Sequence, residues 1–545
     1  MSVQNGLFQN HGLNADLADL IMGKFLKKGT DAFRAIRNGE FVDKSGLIEI
    51  VNATLHTERQ FTCVSRPRRF GKSIGAKMLY AYYDQWCGDR TLFSDLQIYS
   101  SASFSRHFQR YPVLYIDMTD FVTRYDSNQV VDHIQSEVIE ELKEVFPDVP
   151  YRDNGDLAET LYMIASQPQM EKFIMIIDEW DAILREYDAE SGVAEQYINL
   201  LRGLFKSTNA MSTFAGVYMT GILPIKKYKT QSALNNFWEY SMLSPRGMSE
   251  YFGFTKSEVR ALAEKTGNDF DELEKWYDGY QIGNQMSMFN PNSVIQAIYS
   301  HWCESYWAST GAYDAVAEYI RMNMDGLKDS IIYLLSGGRA KVNVTSFTND
   351  LKVVKSKDDV LTVLIHLGYL SYDRTKQECY VPNREVAGEL ENAVKSVKWD
   401  KVNLLLDASE QLLHATLSGE AETVAKCIDE AHDENTSILS YNDENSLACV
   451  LSLAYYYAKN DYIFHRELPP GKGFADLVLI PRKQVDSPAI VLELKCDRDA
   501  VSAIDQIKQK HYPSKIVEYT HNLLLVGINY DKKTKKHECV IEKEF

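Results

Sequence analysis

The hydrophobic positions of this chain fall into strand-sized apolar runs separated by longer segments with helical periodicity. Four of these runs lie in the N-terminal half, at 61–65, 113–118, 172–178 and 214–219. Runs that are apolar throughout, rather than alternating, are typical of strands that are buried on both faces of a parallel sheet. The pattern therefore predicts an α/β fold with a parallel sheet in the N-terminal half.

A second group of apolar runs lies near the C-terminus, in a different order. An apolar helical pattern comes first, followed by two strands, a second helix and two further strands. The loop between the first two strands begins and ends with proline, which favours a hairpin. In chain order the segments are 446–458, 477–479, 491–495, 500–511, 522–529 and 537–542.

The middle of the chain is predicted to be mainly helical. Residues 251–307 are rich in aromatic and charged side chains, which suits the packed core of a helical lid better than a platform for nucleic-acid bases, although both stay open. A helix ending at Gly368 precedes a hairpin of 370–372 with 378–381, and this predicts a winged-helix-like module. Such modules bind DNA or pack against a lid, and the mixed local charge favours packing. Residues 398–440 are predicted to form an acidic helical connector.

The loop after the first strand carries a candidate nucleotide site. Gly71, Lys72 and Ser73 stand between an apolar strand and a helical pattern, which is the order of a phosphate-binding loop. In such a loop the backbone N–H groups, here including that of Phe70, cradle phosphates at the helix start, while the lysine reaches the β- and γ-oxygens and the hydroxyl binds Mg²⁺. The usual first glycine would fall at Arg66, so the motif is incomplete by itself.

A second motif complements this loop. Asp178 and Glu179 end the apolar run 172–178, as expected at the end of a buried parallel strand. Asp178 is a candidate Mg²⁺ ligand together with Ser73, and Glu179 is the candidate group that polarises the attacking water. Thr220, at the end of the next apolar run, is a candidate sensor of the γ-phosphate. Two acids at a strand end also suit a solvated surface, but the matched pair of motifs favours ATP.

The C-terminal hairpin carries a second candidate site. Asp476 opens one predicted strand, and Glu493 and Lys495 share one face of the next, because strand side chains alternate. The two carboxylates offer hard oxygen ligands to Mg²⁺, or to Mn²⁺ in its place. The Lys495 ammonium can stabilise charge that develops on a phosphate. This is the minimum for metal-dependent phosphodiester cleavage, although such a triplet also arises by chance in a charged chain.

The surroundings of this triplet resemble the core of PD-(D/E)xK nucleases, which has a similar order of helices and strands. Gln506 lies on the predicted helix 500–511, where those nucleases often carry a polar residue. Glu444 begins the helical run upstream of the hairpin and can reach a metal from there. The candidate catalytic residues are therefore Asp476, Glu493, Lys495, Gln506 and Glu444, with Glu179 at the nucleotide site.

Composition limits what the chain can bind. A net charge of −17 with a pI near 5.3 argues against a broad nucleic-acid-binding surface, since phosphate contacts supply most non-specific affinity. Basic residues concentrate locally at 66–69 and 532–536, and the second concentration also suits a solvated turn. The chain has no apolar run of membrane length, no signal pattern at its N-terminus and no C-x-x-C pair. We therefore expect a cytoplasmic protein with reduced thiols and no membrane partner.

Several short motifs together resemble a bacterial family of AAA-ATPase-like proteins with a C-terminal PD-(D/E)xK nuclease domain. The resemblance implies ATP binding at a P-loop related to those of AAA+ NTPases, in a family that itself lacks the first glycine of the loop. It further implies that Arg68 and Arg69 hold phosphate through bidentate contacts, and that Asp43 lies where AAA-like domains meet the base. The motifs are Phe41-Val42-Asp43-Lys44-Ser45, Arg66-Pro67-Arg68-Arg69-Phe70-Gly71-Lys72-Ser73, Thr220-Gly221-Ile222-Leu223-Pro224, Phe252-Gly253-Phe254-Thr255, Tyr277-Asp278-Gly279-Tyr280, Phe289-Asn290-Pro291 and Gly368-Tyr369-Leu370.

These observations together predict five parts: a P-loop AAA-like ATPase domain at 1–245, a helical lid at 246–312, a winged-helix-like module at 313–395, a helical connector at 396–440 and a PD-(D/E)xK nuclease domain at 441–545. The predicted function is an ATP-binding and ATP-hydrolysing, Mg²⁺-dependent nuclease that cleaves DNA in defence against phage or mobile elements. Its predicted partners are ATP and DNA, and a homo-oligomer is compatible with the sequence. The alternative is a nucleotide-switched binding or signalling protein whose nuclease-like domain docks a partner without cleaving it.

Overall fold

A computed structural model describes most of the chain, and its described residues form two compact units. The first unit includes the described residues up to Tyr306, together with Val342–Gln377 and Pro382–Glu385, and the second includes all others. The domain boundaries expected from the sequence are not tested by this division and stay predictions. The described residues are 23–152, 155–225, 227–228, 231–232, 234–283, 286–307, 312–322, 324, 326–349, 353–397, 400–435, 451, 454–466, 477–482, 485–509 and 522–544.

A five-stranded parallel sheet is the centre of the first unit. Its strand order is β2-β3-β4-β1-β7, and its three central strands are buried along their whole length. This confirms the parallel α/β architecture predicted from the continuous apolar runs. The strands are β1 (Phe61–Ser65), β2 (Val113–Asp117), β3 (Phe173–Asp178), β4 (Phe214–Gly221), a separate hairpin of β5 (Lys227–Tyr228) and β6 (Gln231–Ser232), and β7 (Trp238–Tyr240).

Helices cover both faces of this sheet, so β1, β2, β3 and β4 each contribute side chains to two hydrophobic cores. Cys63 packs in one core and its neighbour Val64 in the other, as strand alternation requires. The helices are α1 (Asp31–Arg37), α2 (Gly46–Asn52), α3 (Lys72–Tyr83), α4 (Phe104–His107), α5 (Met118–Arg124), α6 (Val130–Val145), α7 (Leu157–Ala165), α8 (Ala182–Glu186), α9 (Val193–Phe205) and α10 (Ala210–Thr213). Short 3₁₀ turns lie at Arg90–Phe93, Gln97–Ser100, Ala189–Ser191 and Ser249–Tyr251.

The region predicted to be a helical lid contains three helices and also a small antiparallel sheet. The strand order is β8-β10-β9, and the longest of these strands has four residues. Strands this short carry too little periodicity to be seen in the sequence. The elements are β8 (Phe254–Thr255), α11 (Lys256–Thr266), α12 (Phe270–Tyr277), β9 (Tyr280–Ile282), β10 (Met286–Phe289) and α13 (Pro291–Ser300).

The region predicted to be winged-helix-like has the expected helix and two short strands. The helix α16 ends where predicted, because Gly368 takes up the left-handed conformation (φ +91°) that stops it. The elements are α14 (Ala312–Arg321), α15 (Leu327–Leu335), β11 (Ala340–Lys341), α16 (Lys357–Leu367), β12 (Ser371–Asp373), β13 (Glu378–Tyr380) and α17 (Arg384–Ser396).

The second unit contains a five-stranded mixed sheet whose strands follow chain order. All neighbours are antiparallel except β16 and β17, which are parallel and joined through α20. Helices α18 and α19 pack on one face of the sheet and α20 on the other. The elements are α18 (Asp400–Ser418), α19 (Ala421–Asn435), a 3₁₀ turn (Tyr456–Asn460), β14 (Tyr462–Arg466), β15 (Leu477–Pro481), β16 (Ala489–Cys496), α20 (Ala500–Gln509), β17 (Leu523–Asp531) and β18 (Lys536–Glu544).

Of the helix predicted at 446–458, residues 446–450, 452 and 453 lie outside the described residues, and 456–458 belong to a 3₁₀ turn. Among the helices that the structure describes, none combines the length and the apolar character needed to cross a bilayer.

Candidate functional sites

The phosphate-loop motif forms the junction between β1 and α3. Gly71 caps the helix with a left-handed conformation (φ +87°), which explains a glycine at this point. A Cβ at this position would meet no atom within 4 Å, so the requirement for glycine comes from the backbone conformation and not from lack of space. Lys72 and Ser73 are the first residues of α3, where backbone N–H groups have no partner within the helix. The local fold is therefore that of an anion-binding helix start.

Arg66 occupies the position of the missing first glycine, and its side chain is fully buried. Its guanidinium donates to the carbonyls of Ser65 and Tyr240 at 2.9 and 2.8 Å, and lies 5.5 Å from the ring of Phe252. Burial lowers the pKa of Arg66 to about 10. The arginine therefore ties the start of the loop to the end of β7 and to Phe252 beyond it, and it does not line the cavity.

The loop opens on a cavity of about 660 Å³ in the first unit. Lys72, only 3% exposed, donates to the carbonyl of Pro67 at 3.1 Å and lies 3.5 Å from Glu179 Oε1. Arg68 is exposed at the cavity edge, and Arg69 donates to the carbonyl of Tyr306. Of the predicted nucleotide-binding residues, the structure places these at the cavity: Arg68, Arg69, Phe70, Gly71, Lys72, Ser73 and Glu179.

Glu179 is held between two cations. Its second carboxylate oxygen accepts a hydrogen bond from Arg185 at 2.9 Å, and the same guanidinium lies 3.4 Å from Asp181. Asp181 is fully buried and accepts hydrogen bonds from the backbone N–H groups of Ile222 and Leu223. Burial raises the pKa of Asp181.

Sequence reasoning missed both Arg185 and Asp181. The available signal was their spacing, since Arg185 follows Asp181 by four residues, which is one helical turn. Glu179 itself has a left-handed backbone (φ +49°), a conformation that costs free energy in a non-glycine residue. Strained backbone of this kind clusters at functional sites, and here it belongs to the residue whose carboxylate lies 3.5 Å from Lys72.

Asp178 lies next to this cluster but does not line the cavity. Its carboxylate accepts hydrogen bonds from the Tyr115 hydroxyl at 3.0 Å, the Glu179 N–H at 3.2 Å and the Thr220 hydroxyl. Thr220 is fully buried and donates to Asp178, and its role as a sensor of the γ-phosphate stays a prediction. The three donors hold Asp178 in one orientation at the end of β3.

Asp43 also lies outside the cavity lining. Its carboxylate accepts from the backbone N–H groups of Ser45 at 2.8 Å and Gln97 at 2.7 Å, which fixes the turn before α2. The neighbouring Lys44 does line the cavity, and it donates to Glu258 at 2.7 Å. The hydrogen bonds of Asp43 therefore stabilise a turn, and its neighbours Val42 and Lys44 line the cavity.

The candidate nuclease site lies on β16 in the second unit. Glu493 is 2% exposed, and the Lys495 ammonium lies 2.9 Å from its Oε1, so the two share a face as predicted. Val491, on that same face, packs against Ile504 of α20. Gln506 is half-buried on α20, the helix that covers this face. The close approach of this helix explains Gly527 opposite Glu493, since a Cβ there would meet the Ala500 carbonyl at 2.3 Å.

The remaining nuclease candidates cannot be placed. Asp476 and Glu444 lie outside the described residues. Leu477, the first described residue of β15, pairs with Leu492, so the predicted hairpin is present and ends beside Glu493. Within the part of the chain that the structure describes, no group of three or more His, Cys, Asp or Glu side chains could hold a metal ion. Glu493 is the described residue that offers a buried carboxylate oxygen to Mg²⁺ at this site.

Comparison with known families identifies the class of both parts. Residues 27–230 match a family described as predicted AAA-ATPase, and residues 442–539 match the PD-(D/E)XK nuclease superfamily. The chain therefore carries an AAA-ATPase-like domain followed by a C-terminal PD-(D/E)XK nuclease superfamily domain, in the order predicted from the sequence.

Individual relatives are more distant. An uncharacterized protein in the vnfD 5′ region of Azotobacter chroococcum mcd 1 is 28% identical over 297 residues, which span 53% of this chain and 54% of that protein. The Aeropyrum pernix ORC2 structure in ADPNP-ADP complexes has a TM-score of 0.29 and 10% identity, covering 66% of this chain and 96% of that chain. The structure of Drosophila ORC bound to DNA has a TM-score of 0.24 and 10% identity, covering 72% and 96%. Similarities this weak carry no argument about the function of this chain.

Proposed function

We propose that this protein binds and hydrolyses ATP and cleaves DNA in a reaction that needs a divalent metal ion. One observation carries the proposal: each of the two domains pairs a lysine with a nearby carboxylate. The Lys72–Glu179 distance is 3.5 Å at the phosphate loop, and the Lys495–Glu493 distance is 2.9 Å on the central strand of the second sheet. In both pairs the lysine is largely buried, which keeps it in place for a phosphate.

At the ATPase site the chain's own groups would divide the work as follows. The N–H groups at the start of α3 and the Lys72 ammonium bind the phosphates, and Arg68 adds a bidentate contact from the cavity edge. Ser73 would hold Mg²⁺ together with Asp178, whose carboxylate is oriented by three hydrogen-bond donors. Bound Mg²⁺ supplies positive charge that offsets the phosphate oxygens. Glu179 orients the attacking water and accepts its proton.

At the nuclease site Glu493 and Asp476 would hold the metal, whose chemistry is to activate a water and neutralise the phosphate. Lys495 stabilises the negative charge that develops on the scissile phosphate. Gln506, on the covering helix, contributes a neutral polar group to the same face. Glu444 is proposed as a further carboxylate from the preceding helix.

The test is cleavage of supercoiled plasmid by the full chain in Mg²⁺ or Mn²⁺, without nucleotide, with ATP and with a non-hydrolysable analogue. We expect Lys495→Ala to abolish cleavage and leave ATP turnover intact, and Lys72→Ala to abolish turnover together with any nucleotide dependence of cleavage. If the wild-type chain cuts neither DNA nor RNA in any of these conditions, the rival function of a nucleotide-switched docking protein is favoured instead.

We propose defence against phage or mobile elements, in the cytoplasm, as the setting of this activity. An ATP-dependent nuclease suits that role, because nucleotide control can keep cleavage silent until foreign DNA arrives. Plaque counts on a host that expresses the wild-type chain should fall relative to a host that expresses Lys495→Ala. Equal counts for the two strains against a panel of phages would contradict the defence role, but would leave the proposed ATPase and nuclease activities untested.

A further inference from the structure

An exposed tryptophan on the edge strand of the first sheet is contacted by two arginines. Trp238, the first residue of β7, is 38% exposed. The guanidinium carbon of Arg246 lies 5.3 Å from the centre of its ring, and that of Arg59 lies 5.9 Å away. Both arginines are exposed, one just before β1 and the other in the loop after β7. We call these three residues the Trp238 surface.

The two arginines of the Trp238 surface form no ion pair within the described residues, although Glu58 precedes Arg59 and Glu239 follows Trp238 in the chain. Arg37, by contrast, lies 2.6 Å from Asp95. The acid within β7, Glu239, accepts a hydrogen bond from the Ile225 N–H at 3.1 Å instead. Two like charges near one ring repel each other, and the aromatic face offsets only part of that repulsion. An anion that binds between them would be stabilised by both.

The segment of sequence around Trp238 is also positively charged. Between Gly221 and Met248 the chain contains Lys226, Lys227, Lys229 and Arg246 as basic residues and a single acid, Glu239. The whole chain, by contrast, has a net charge of −17. A local cationic segment that includes an exposed indole in an otherwise acidic protein is the combination that favours a polyanion with planar groups.

We propose that the Trp238 surface binds single-stranded nucleic acid. One base stacks on the indole of Trp238, and the phosphates on either side of that base contact Arg59 and Arg246. A single strand is specified because a base within a duplex has no free face for the ring. The proposal rests on the proposed nuclease function, since it names a second place where the chain holds the same class of substrate.

The position of the surface separates it from ATP chemistry. Trp238 pairs with Thr62, near the start of β1, whereas the phosphate loop follows Ser65 at the other end of that strand. Substitutions at the Trp238 surface can therefore be tested without altering the residues assigned to the nucleotide site.

Binding is best measured by fluorescence anisotropy, with a fluorescein-labelled single strand of deoxythymidine, the full chain and EDTA to prevent cleavage. We expect Trp238→Ala to weaken affinity about tenfold, the size expected for loss of one stacked base, while Trp238→Phe stays close to wild type. Arg59→Ala and Arg246→Ala should each weaken affinity and lower the slope of log affinity against log salt by about 0.7, as loss of one phosphate contact predicts.

Two matched controls lie in the same unit. Trp302 is an exposed tryptophan (69%), and Arg90 stacks on Tyr99 and Phe104, so Trp302→Ala and Arg90→Ala should bind as wild type does. ATP turnover without DNA should be unchanged in Trp238→Ala, which also reports on folding.

The outcomes separate this proposal from the proposed function. If the wild-type chain binds the strand and cleaves plasmid, but the three Trp238-surface variants bind within twofold of wild type, the surface proposal is overturned and the nuclease stands. If the wild-type chain neither binds nor cleaves, both fall. If Trp238→Ala instead changes the sedimentation of the protein alone and leaves affinity for the strand unchanged, the surface joins copies of this chain and the nucleic-acid proposal is overturned.

Discussion

The ammonium of Lys72 lies 3.5 Å from the carboxylate of Glu179, and both side chains line the same cavity. The other oxygen of that carboxylate is 2.9 Å from Arg185, so Glu179 bridges two cations. In this arrangement the carboxylate of Glu179 balances the positive charge of Lys72. Nucleotide phosphates would compete with Glu179 for Lys72, which links nucleotide binding to the freedom of the carboxylate proposed to handle the attacking water.

Replacement of Lys72 by alanine should weaken ATP binding about a hundredfold, the loss expected when a charge-assisted phosphate contact is removed. Glu179→Gln should keep ATP binding and lower turnover about a hundredfold or more, since a neutral amide accepts no proton from water. Titration with a fluorescent ATP analogue and a phosphate-release assay measure the two effects. The control is Glu186→Gln, an acid at the same cavity that contacts Arg185 at 3.4 Å. Normal turnover in Glu179→Gln would remove Glu179 from the chemistry.

Arg185 is expected to be a positioning residue that acts through Glu179. Its guanidinium joins Glu179 to the buried carboxylate of Asp181, which backbone N–H groups anchor. Arg185→Ala should therefore lower kcat about tenfold with little change in KM, because one oriented hydrogen bond to the carboxylate is lost.

A double variant distinguishes this role from general destabilisation. If Arg185 acts only through Glu179, adding Arg185→Ala to Glu179→Gln should cost nothing further in kcat. Full additivity of the two effects would show that Arg185 contacts the nucleotide or stabilises the fold independently.

Lys495 and Glu493 are expected to be essential for cleavage and dispensable for ATP turnover. Lys495→Ala removes the only ammonium that lies beside the Glu493 carboxylate among the described residues, and plasmid cleavage should fall below detection. Glu493→Gln should weaken Mn²⁺ binding, measured by isothermal titration in the absence of DNA. Lys508, an exposed lysine on α20 that pairs with Glu542, is the matched control, and Lys508→Ala should cleave as wild type does. Cleavage by Lys495→Ala at the wild-type rate would contradict the assignment.

Much of the fold was accessible from local patterns. Four of the five parallel strands were predicted to within two residues, because a strand that is buried on both faces must be apolar along its length. The fifth, β7, has three residues and was not predicted. The pairing of Glu493 with Lys495 followed from the two-residue period of a strand. Gly368 marked the end of α16, because few other residues adopt the backbone conformation that stops a helix there.

The contacts that define the candidate nucleotide site were not accessible in this way. Arg66 donates a hydrogen bond to a carbonyl 174 residues away in the sequence. Thr220 donates one to Asp178, 42 residues away. Asp43, expected near a nucleotide base, accepts hydrogen bonds from the N–H groups of Ser45 and, 54 residues away, Gln97. Long-range contacts of this kind depend on how strands and loops are arranged in space, which no local period records.

Arg66 provides a test of that long-range packing. Restoring the usual glycine with Arg66→Gly should not improve ATP binding, because the side chain does not line the cavity. It should instead destabilise the first unit by about 2–4 kcal/mol, since buried hydrogen bonds to two carbonyls are lost. Thermal unfolding with and without ATP measures both effects. Arg66→Lys should recover part of the stability, and a glycine variant that is as stable as wild type would refute the anchoring role.

Asp84 should make the first unit less stable as pH rises toward 7. Asp84 is fully buried after α3, where its carboxylate accepts from Tyr80 at 3.0 Å and from the Val113 N–H at 3.3 Å. Burial raises its pKa to about 7, far above the value of about 3.9 for an unfolded aspartate. Because the folded state keeps this proton at pH values where the unfolded state has released it, stability falls as pH rises from about 3.9 and levels off above the folded pKa of about 7. Asp84→Asn, which stays neutral, should therefore lose less stability than wild type between pH 5 and pH 8, by an amount on the order of a few kcal/mol.

The measurement is the thermal midpoint across that range, and the control is Asp95→Asn, an exposed acid in an ion pair. Parallel curves for Asp84→Asn and wild type would show that Asp84 is already ionised in the folded protein at pH 5.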